Sequence, residues 1–106
     1  MKKLPNLFKF DEISDGDNDF KDLMIGIFKK EFPIEKKAFF DSFESEKYKE
    51  SAEVVHKLKH KINLLSLEEG YMLASNFESQ LIDNSFELFD EFVIILETIE
   101  NFLKKI

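Results

Sequence analysis

Apolar residues recur at the spacing of an α-helix along most of this chain, and helix-breaking residues are scarce. In one segment, the apolar side chains of Val54, Val55, Leu58, Ile62 and Leu65 fall on a single stripe of a helical wheel. The 106 residues include only three glycines and two prolines, which is too few for the many tight turns of a β fold. The sequence therefore predicts an all-α fold.

Four long helices and one short leading helix account for the pattern. We expect the short helix near Phe10–Ser14, a helix over Asp19–Phe43 that Pro33 breaks or kinks, a third from about Lys47 to Leu65, a fourth starting at Ser66, and a last one starting near Asn84-Ser85-Phe86-Glu87. Because the connections are short, the prediction is an antiparallel four-helix bundle in one domain, residues 1–106.

Local patterns define two of these helices more closely. At the start of the second helix, apolar residues repeat at i, i+3, i+4, i+7 and i+8: Phe20, Leu23, Met24, Ile27 and Phe28. Ser66-Leu67-Glu68-Glu69 matches a capping box, so Ser66 is expected to be the N-cap of the fourth helix. That helix is expected to turn four residues inward: Met72, Leu73, Phe77 and Leu81.

Composition and charge exclude several classes of function. The formal net charge is −7, which disfavours nucleic acid and anionic membranes as partners. The chain has no cysteine, so thiolate catalysis and cysteine-based zinc sites are excluded. No segment has the length of a membrane span, and Met1–Phe10 lacks the apolar run of a signal peptide. We expect a soluble, cytoplasmic monomer.

The third predicted helix carries a histidine opposite its apolar stripe. With His56 placed at zero on the wheel, Leu58, Ile62 and Leu65 lie near the far side, whereas Lys59, His60 and Asn63 flank it. The sequence thus predicts that His56 is exposed to solvent and is not part of the core.

The residues around this histidine resemble those of a known family. His56-x-Leu58-Lys59, continuing to Leu65-Ser66-Leu67, is similar to the signature of histidine-containing phosphotransfer (HPt) domains. The run Leu73–Glu78 resembles the apolar stretch ending in Glu or Gln in that family, and the helix over Asp19–Phe43 resembles the one that precedes the histidine helix. Two positions depart from the family pattern: His60 stands where a glycine is usual, and Ser66 replaces a second small residue.

The resemblance implies a function and a set of roles. His56 is the expected phosphoacceptor, Lys59 stabilises the phosphoryl group, and Glu78 accepts a hydrogen bond from the second ring nitrogen of His56 and so orients the ring. Since His56 lies ten residues before Ser66 and Glu78 twelve after it, a helical hairpin brings them to about the same height. The expected docking residues are these: Lys57, His60, Lys61 and Asn63.

The resemblance also implies the partners: response-regulator receiver domains and a hybrid histidine kinase. The chain has no nucleotide-binding motif, so we expect a phosphoryl carrier without ATP-dependent activity or a cofactor of its own. The Mg²⁺ ion used in such transfers is expected on the receiver.

Two other functions fit the same residues. The chain is also compatible with a non-catalytic module that binds receivers or other helical partners, a reading favoured by His60 in the glycine position. A surface metal site at His56 and His60, with Glu53 one turn earlier, is a less favoured hypothesis because it lacks a fourth protein ligand.

Overall fold

The chain folds into five α-helices in a computed structural model that describes residues 4–106. They are α1 (Phe8–Ser14), α2 (Asn18–Glu44), α3 (Tyr48–Leu64), α4 (Glu68–Ile82) and α5 (Phe89–Leu103). No strand occurs in this part of the chain, so the prediction of an all-α fold is confirmed. Of the segment Met1–Phe10, residues 1–3 lie outside the described residues.

The long helix α2 passes through Pro33 without interruption. Pro33 therefore does not break the helix, which is one of the two effects that the sequence predicts for it. A proline inside a helix loses one backbone hydrogen bond and crowds the preceding turn, at a cost of about 3 kcal/mol. Phe28, Phe32 and Phe39 are buried on both sides of Pro33, and their burial offsets this cost. At its start, α2 is capped by Asp17, whose side chain accepts a hydrogen bond from the Phe20 amide at 3.0 Å.

Three helices end in the same backbone motif. Glu46, Ser66 and Asn84 follow α2, α3 and α4 and have φ values of 59°, 64° and 57°. At the end of α3, the Ser66 amide donates to the Asn63 carbonyl at 3.0 Å and the Leu67 amide donates to the Ile62 carbonyl at 3.4 Å. This pair of bonds is a Schellman motif, and the left-handed residue turns the chain sharply into the next helix.

The use of Ser66 in this motif makes the capping-box prediction wrong. An N-cap residue needs an extended backbone, whereas Ser66 has the left-handed backbone that ends α3. Helix α4 begins at Glu68, its N-cap is Leu67, and no side chain caps it. The last helix likewise begins later than Asn84-Ser85-Phe86-Glu87 predicts, at Phe89, because Asn84 is occupied in ending α4.

Aromatic side chains from three helices form the centre of the core. Phe39 of α2, Phe77 of α4 and Phe92 of α5 are fully buried, and each pair of their rings has centroids 5.1–6.0 Å apart. Helix α3 contributes the buried side chains of Val55, Leu58 and Ile62, and its C-cap residue Leu65 is buried too, in agreement with the predicted apolar stripe.

One inward prediction is wrong, and the apolar repeat at the start of α2 is only partly buried. Met72 is 65% exposed, so it does not point inward with Phe77. At the start of α2, Phe28 is buried but Phe20, Leu23 and Ile27 are exposed. The neighbouring helix α1 has only seven residues, about 10 Å of helix, and is too short to cover this stripe fully.

The helices form a compact particle. The Cα radius of gyration is 14.0 Å, close to the value of about 13 Å expected for a 100-residue domain. Helix α3 makes its most extensive contacts with α4. None of the helices in the described part of the chain is both long and apolar enough to cross a membrane.

Candidate functional site

The candidate site is built on the hairpin of α3 and α4. Three residues separate the two helices, so the chain reverses almost at once after Leu64. Lys59, near the turn, lies by Tyr71, whereas His56, farther from the turn, lies by Glu78. The two helices therefore run in opposite directions here, and residues equally distant from the turn meet.

His56 projects from the face of α3 that is turned away from the core, and its side chain is 53% exposed. Its Nδ1 atom lies 3.1 Å from Oε2 and 3.4 Å from Oε1 of Glu78. A carboxylate can only accept, so Nδ1 carries the proton and donates it to Glu78. The Nε2 atom is then left with a free lone pair, which is the form of imidazole that acts as a nucleophile or a metal ligand.

Glu78 also accepts a hydrogen bond from Lys59. The ammonium of Lys59 lies 3.0 Å from Oε1 of Glu78 and 5.6 Å from the centre of the Tyr71 ring. The Lys59 side chain is only 13% exposed. One carboxylate thus bonds both His56 and Lys59, so Glu78 orients the imidazole and is itself held in place by the ammonium.

His60 is the side chain next to the free nitrogen of His56. The two Nε2 atoms are 3.4 Å apart, and the rings meet edge to face with centroids 4.9 Å apart. His60 is therefore the side chain that contacts Nε2 of His56, while the ammonium of Lys59 is held at Glu78.

The predicted docking residues do not form a single surface. Lys57 is exposed and lines a groove of about 620 Å³ that also contains His56 and Glu78. Lys61 instead turns to α2, where its ammonium lies 3.0 Å from both Glu31 and Glu35.

The contacts of Lys61 and Asn63 tie α3 to its neighbours. Burial alone would lower the pKa of Lys61, but the hydrogen bonds to Glu35 and Glu31 outweigh it and hold this pKa above its usual value. Asn63 accepts a hydrogen bond from Lys9 at 2.9 Å and is partly buried. Helical phase places Asn63 beside His56 but takes no account of α1, whose Lys9 binds this side chain.

Sequence reasoning missed the apolar part of the groove and the ring beneath Lys59. Ala52 and the exposed Ile82 line the groove beside His56. Tyr71 lies two helical turns before Glu78, and this spacing of seven residues is a signal that both share one face of α4.

We compared the chain with protein-family models, curated proteins and solved structures, and none of the three comparisons found a match. Within residues 4–106, no group of three or more His, Asp or Glu side chains is placed to hold a metal ion.

Proposed function

We propose that this protein is a histidine phosphotransfer protein that accepts a phosphoryl group on His56 from an aspartyl phosphate of a receiver domain and passes it to another receiver. The observation that carries the proposal is the hydrogen bond from Nδ1 of an exposed His56 to Glu78. It fixes the tautomer in which Nε2 carries the lone pair of a nucleophile.

The proposed step is a simple displacement. The lone pair of Nε2 attacks the phosphorus atom, the N–P bond forms, and the bond between phosphorus and the receiver carboxylate breaks. The receiver carboxylate takes the electron pair of the broken bond. It remains part of the receiver, where the Mg²⁺ ion is expected to lie. Because Nδ1 keeps its proton, the ring becomes positively charged, and the carboxylate of Glu78 at 3.1 Å stabilises that charge.

Lys59 and Lys57 supply the positive charge of the proposed site. Lys59 lies in the turn after His56, and rotation away from Glu78 would bring its ammonium toward the phosphoryl oxygens. Lys57 is exposed on the groove and faces the approaching receiver, whose carboxylates complement it. His60 lies beside Nε2 and limits the direction from which a receiver can approach.

The surrounding architecture suits such a carrier. In our proposal, α2 to α5 form an antiparallel four-helix bundle, and the protein acts as a cytoplasmic monomer between a hybrid histidine kinase and its response regulators. On the face of α3 opposite His56, three side chains pack into the core and hold the helix in place: Val55, Leu58 and Ile62 are fully buried. A rigid support keeps Nε2 in position for in-line attack.

The test is phosphorylation of the purified protein by a phosphorylated receiver domain. We expect an acid-labile, base-stable phosphate on the wild type and none on a His56→Gln variant of unchanged helical content. The matched control is His60→Gln, which removes the neighbouring imidazole and should retain the label. Labelling of His56→Gln, or none of the wild type with a panel of receivers, would count against the proposal.

The second candidate function is a module that binds receivers without accepting phosphate. The contact of 3.4 Å between Nε2 of His60 and Nε2 of His56 favours it, because this contact obstructs the nucleophile. The same receiver panel separates the two functions: a pure binding module forms a complex but gains no phosphate.

A further inference from the structure

The two histidines of α3 form a chelating pair. His56 and His60 are separated by four residues, so they lie one above the other on the helix. Their Nε2 atoms lie 3.4 Å apart, within hydrogen-bond distance, and both side chains are exposed. Since Nε2 of His56 carries a lone pair, His60 donates in this contact, and an ion that binds both nitrogens would displace the Nε2 proton of His60 to Nδ1 of that ring or to water.

The distance between these two nitrogens matches the distance between two nitrogen ligands of one metal ion. Two nitrogens bound at 2.0–2.1 Å to one tetrahedral zinc ion lie about 3.3–3.4 Å apart. An ion bridging His56 and His60 therefore requires little change in the distance between their Nε2 atoms.

Glu78 supplies the support that a metal-binding histidine needs. Metal ligands of this type usually donate their second ring N–H to a carboxylate, which fixes the tautomer and makes the ligand nitrogen more basic. The bond from Nδ1 of His56 to Glu78, at 3.1 Å, is such a contact. In the neutral ring it holds the single proton on Nδ1 and leaves the Nε2 lone pair for the metal.

The charges around the pair permit a cation. The two lysines in the turns beside it are already paired: Lys59 with Glu78, and Lys61 with Glu31 and Glu35. Lys57 is exposed and its charge is screened by water and salt. The formal net charge of −7 attracts cations to the molecule as a whole.

From this geometry we propose that His56 and His60 chelate one divalent transition-metal ion through their Nε2 atoms, with water completing its coordination, and that the bound ion keeps the phosphoryl group off His56. The competition with the phosphoryl group rests on the proposed function, whereas the metal site does not. Imidazole ligands favour zinc, nickel and copper over Mg²⁺ and Ca²⁺, which prefer oxygen. The ion is a competitor of the phosphoryl group and not a cofactor.

Calorimetric titration of the untagged, EDTA-treated full chain with ZnCl₂ tests the metal site. We expect one zinc ion per chain, and at least a tenfold loss of affinity in both His56→Gln and His60→Gln. The control is Lys49→Gln, an exposed substitution in α3 that makes the chain more acidic and should leave affinity within threefold. Three results would overturn the site: no zinc binding, unchanged affinity in His60→Gln, or equally tight binding of MgCl₂.

Phosphoryl transfer from a phosphorylated receiver, with and without saturating zinc, tests the competition between the metal ion and the phosphoryl group. We expect zinc to stop phosphorylation of the wild type, EDTA to restore it, and His60→Gln to be phosphorylated equally with or without zinc. Equal inhibition of both proteins would place the zinc effect on the receiver and overturn the competition. A wild type that binds zinc but takes no phosphate in buffer that contains Mg²⁺ and no zinc would contradict the proposed function and leave the metal site standing.

Discussion

Replacing Glu78 with glutamine removes the negative charge that holds both His56 and Lys59. The Lys59 side chain is only 13% exposed, so water cannot fully replace the lost partner of its ammonium. Leaving a buried polar group unpaired costs about 1–3 kcal/mol, and breaking a fully buried ion pair costs about 3–5 kcal/mol. Glu78 is itself 23% exposed, and the glutamine amide oxygen can still accept one hydrogen bond. We therefore expect Glu78→Gln to lower the free energy of unfolding by about 1–2 kcal/mol.

Urea denaturation followed by circular dichroism measures this change. The matched control is Glu53→Gln, which removes an exposed carboxylate from α3 and should change stability by less than about 0.5 kcal/mol. A double-mutant cycle with Lys59→Met isolates the ion pair, because the second substitution removes the charge that Glu78 satisfies. A coupling energy near zero, or a Glu78→Gln variant as stable as the control, would show that the contact between Glu78 and Lys59 does not form in solution.

Three further predictions concern the neighbouring residues. His60→Gly removes the ring beside Nε2 of His56, so we expect faster phosphotransfer with a wider range of receivers and a helix weakened by about 0.5–1 kcal/mol; slower transfer with every receiver in rapid-quench assays would contradict this. Pro33→Ala restores a backbone hydrogen bond within α2 and should raise the free energy of unfolding by roughly 1–2 kcal/mol in urea titrations. The folded-state pKa of Lys61 is raised above the ordinary 10.5, so its ion pairs stabilise the fold below that pH and are lost as pH rises through the higher folded value. The stability advantage of wild type over Lys61→Met should therefore be constant from about pH 7 to about pH 10 and shrink above it; an advantage that grows with alkaline pH would contradict the assignment.

The helices could be predicted from the sequence because their apolar period is strong. Val55, Leu58, Ile62 and Leu65 repeat at helical spacing, and all four are buried. Helix ends were harder to predict, since the same residue type can end one helix or start the next. Ser66 has the sequence context of an N-cap but the left-handed backbone of a helix terminus. Whether Ser66 ends α3 or caps α4 depends on how closely these two helices pack. The sequence of this one segment does not show that packing.

The candidate site was predictable only in part, for a similar reason. The approach of Glu78 to His56 follows from counting residues on either side of a tight hairpin. The partners of Lys59 and Lys61 depend on which carboxylates the other helices bring near, and the contact between His60 and His56 depends on side-chain rotamers. A helical wheel gives the direction of a residue, but it does not give its partner.

The most direct test of the central claim is to identify the nitrogen atom that carries the phosphoryl group. The protein, labelled with ¹⁵N, is incubated with a phosphorylated receiver domain at alkaline pH, and phosphorus-to-nitrogen couplings are read by NMR alongside the intact mass. The account predicts one added phosphoryl group, bonded to Nε2 of His56, with the proton retained on Nδ1. A phosphate on His60, a phosphate on Nδ1 of His56, or an unchanged mass with every receiver tested would contradict it.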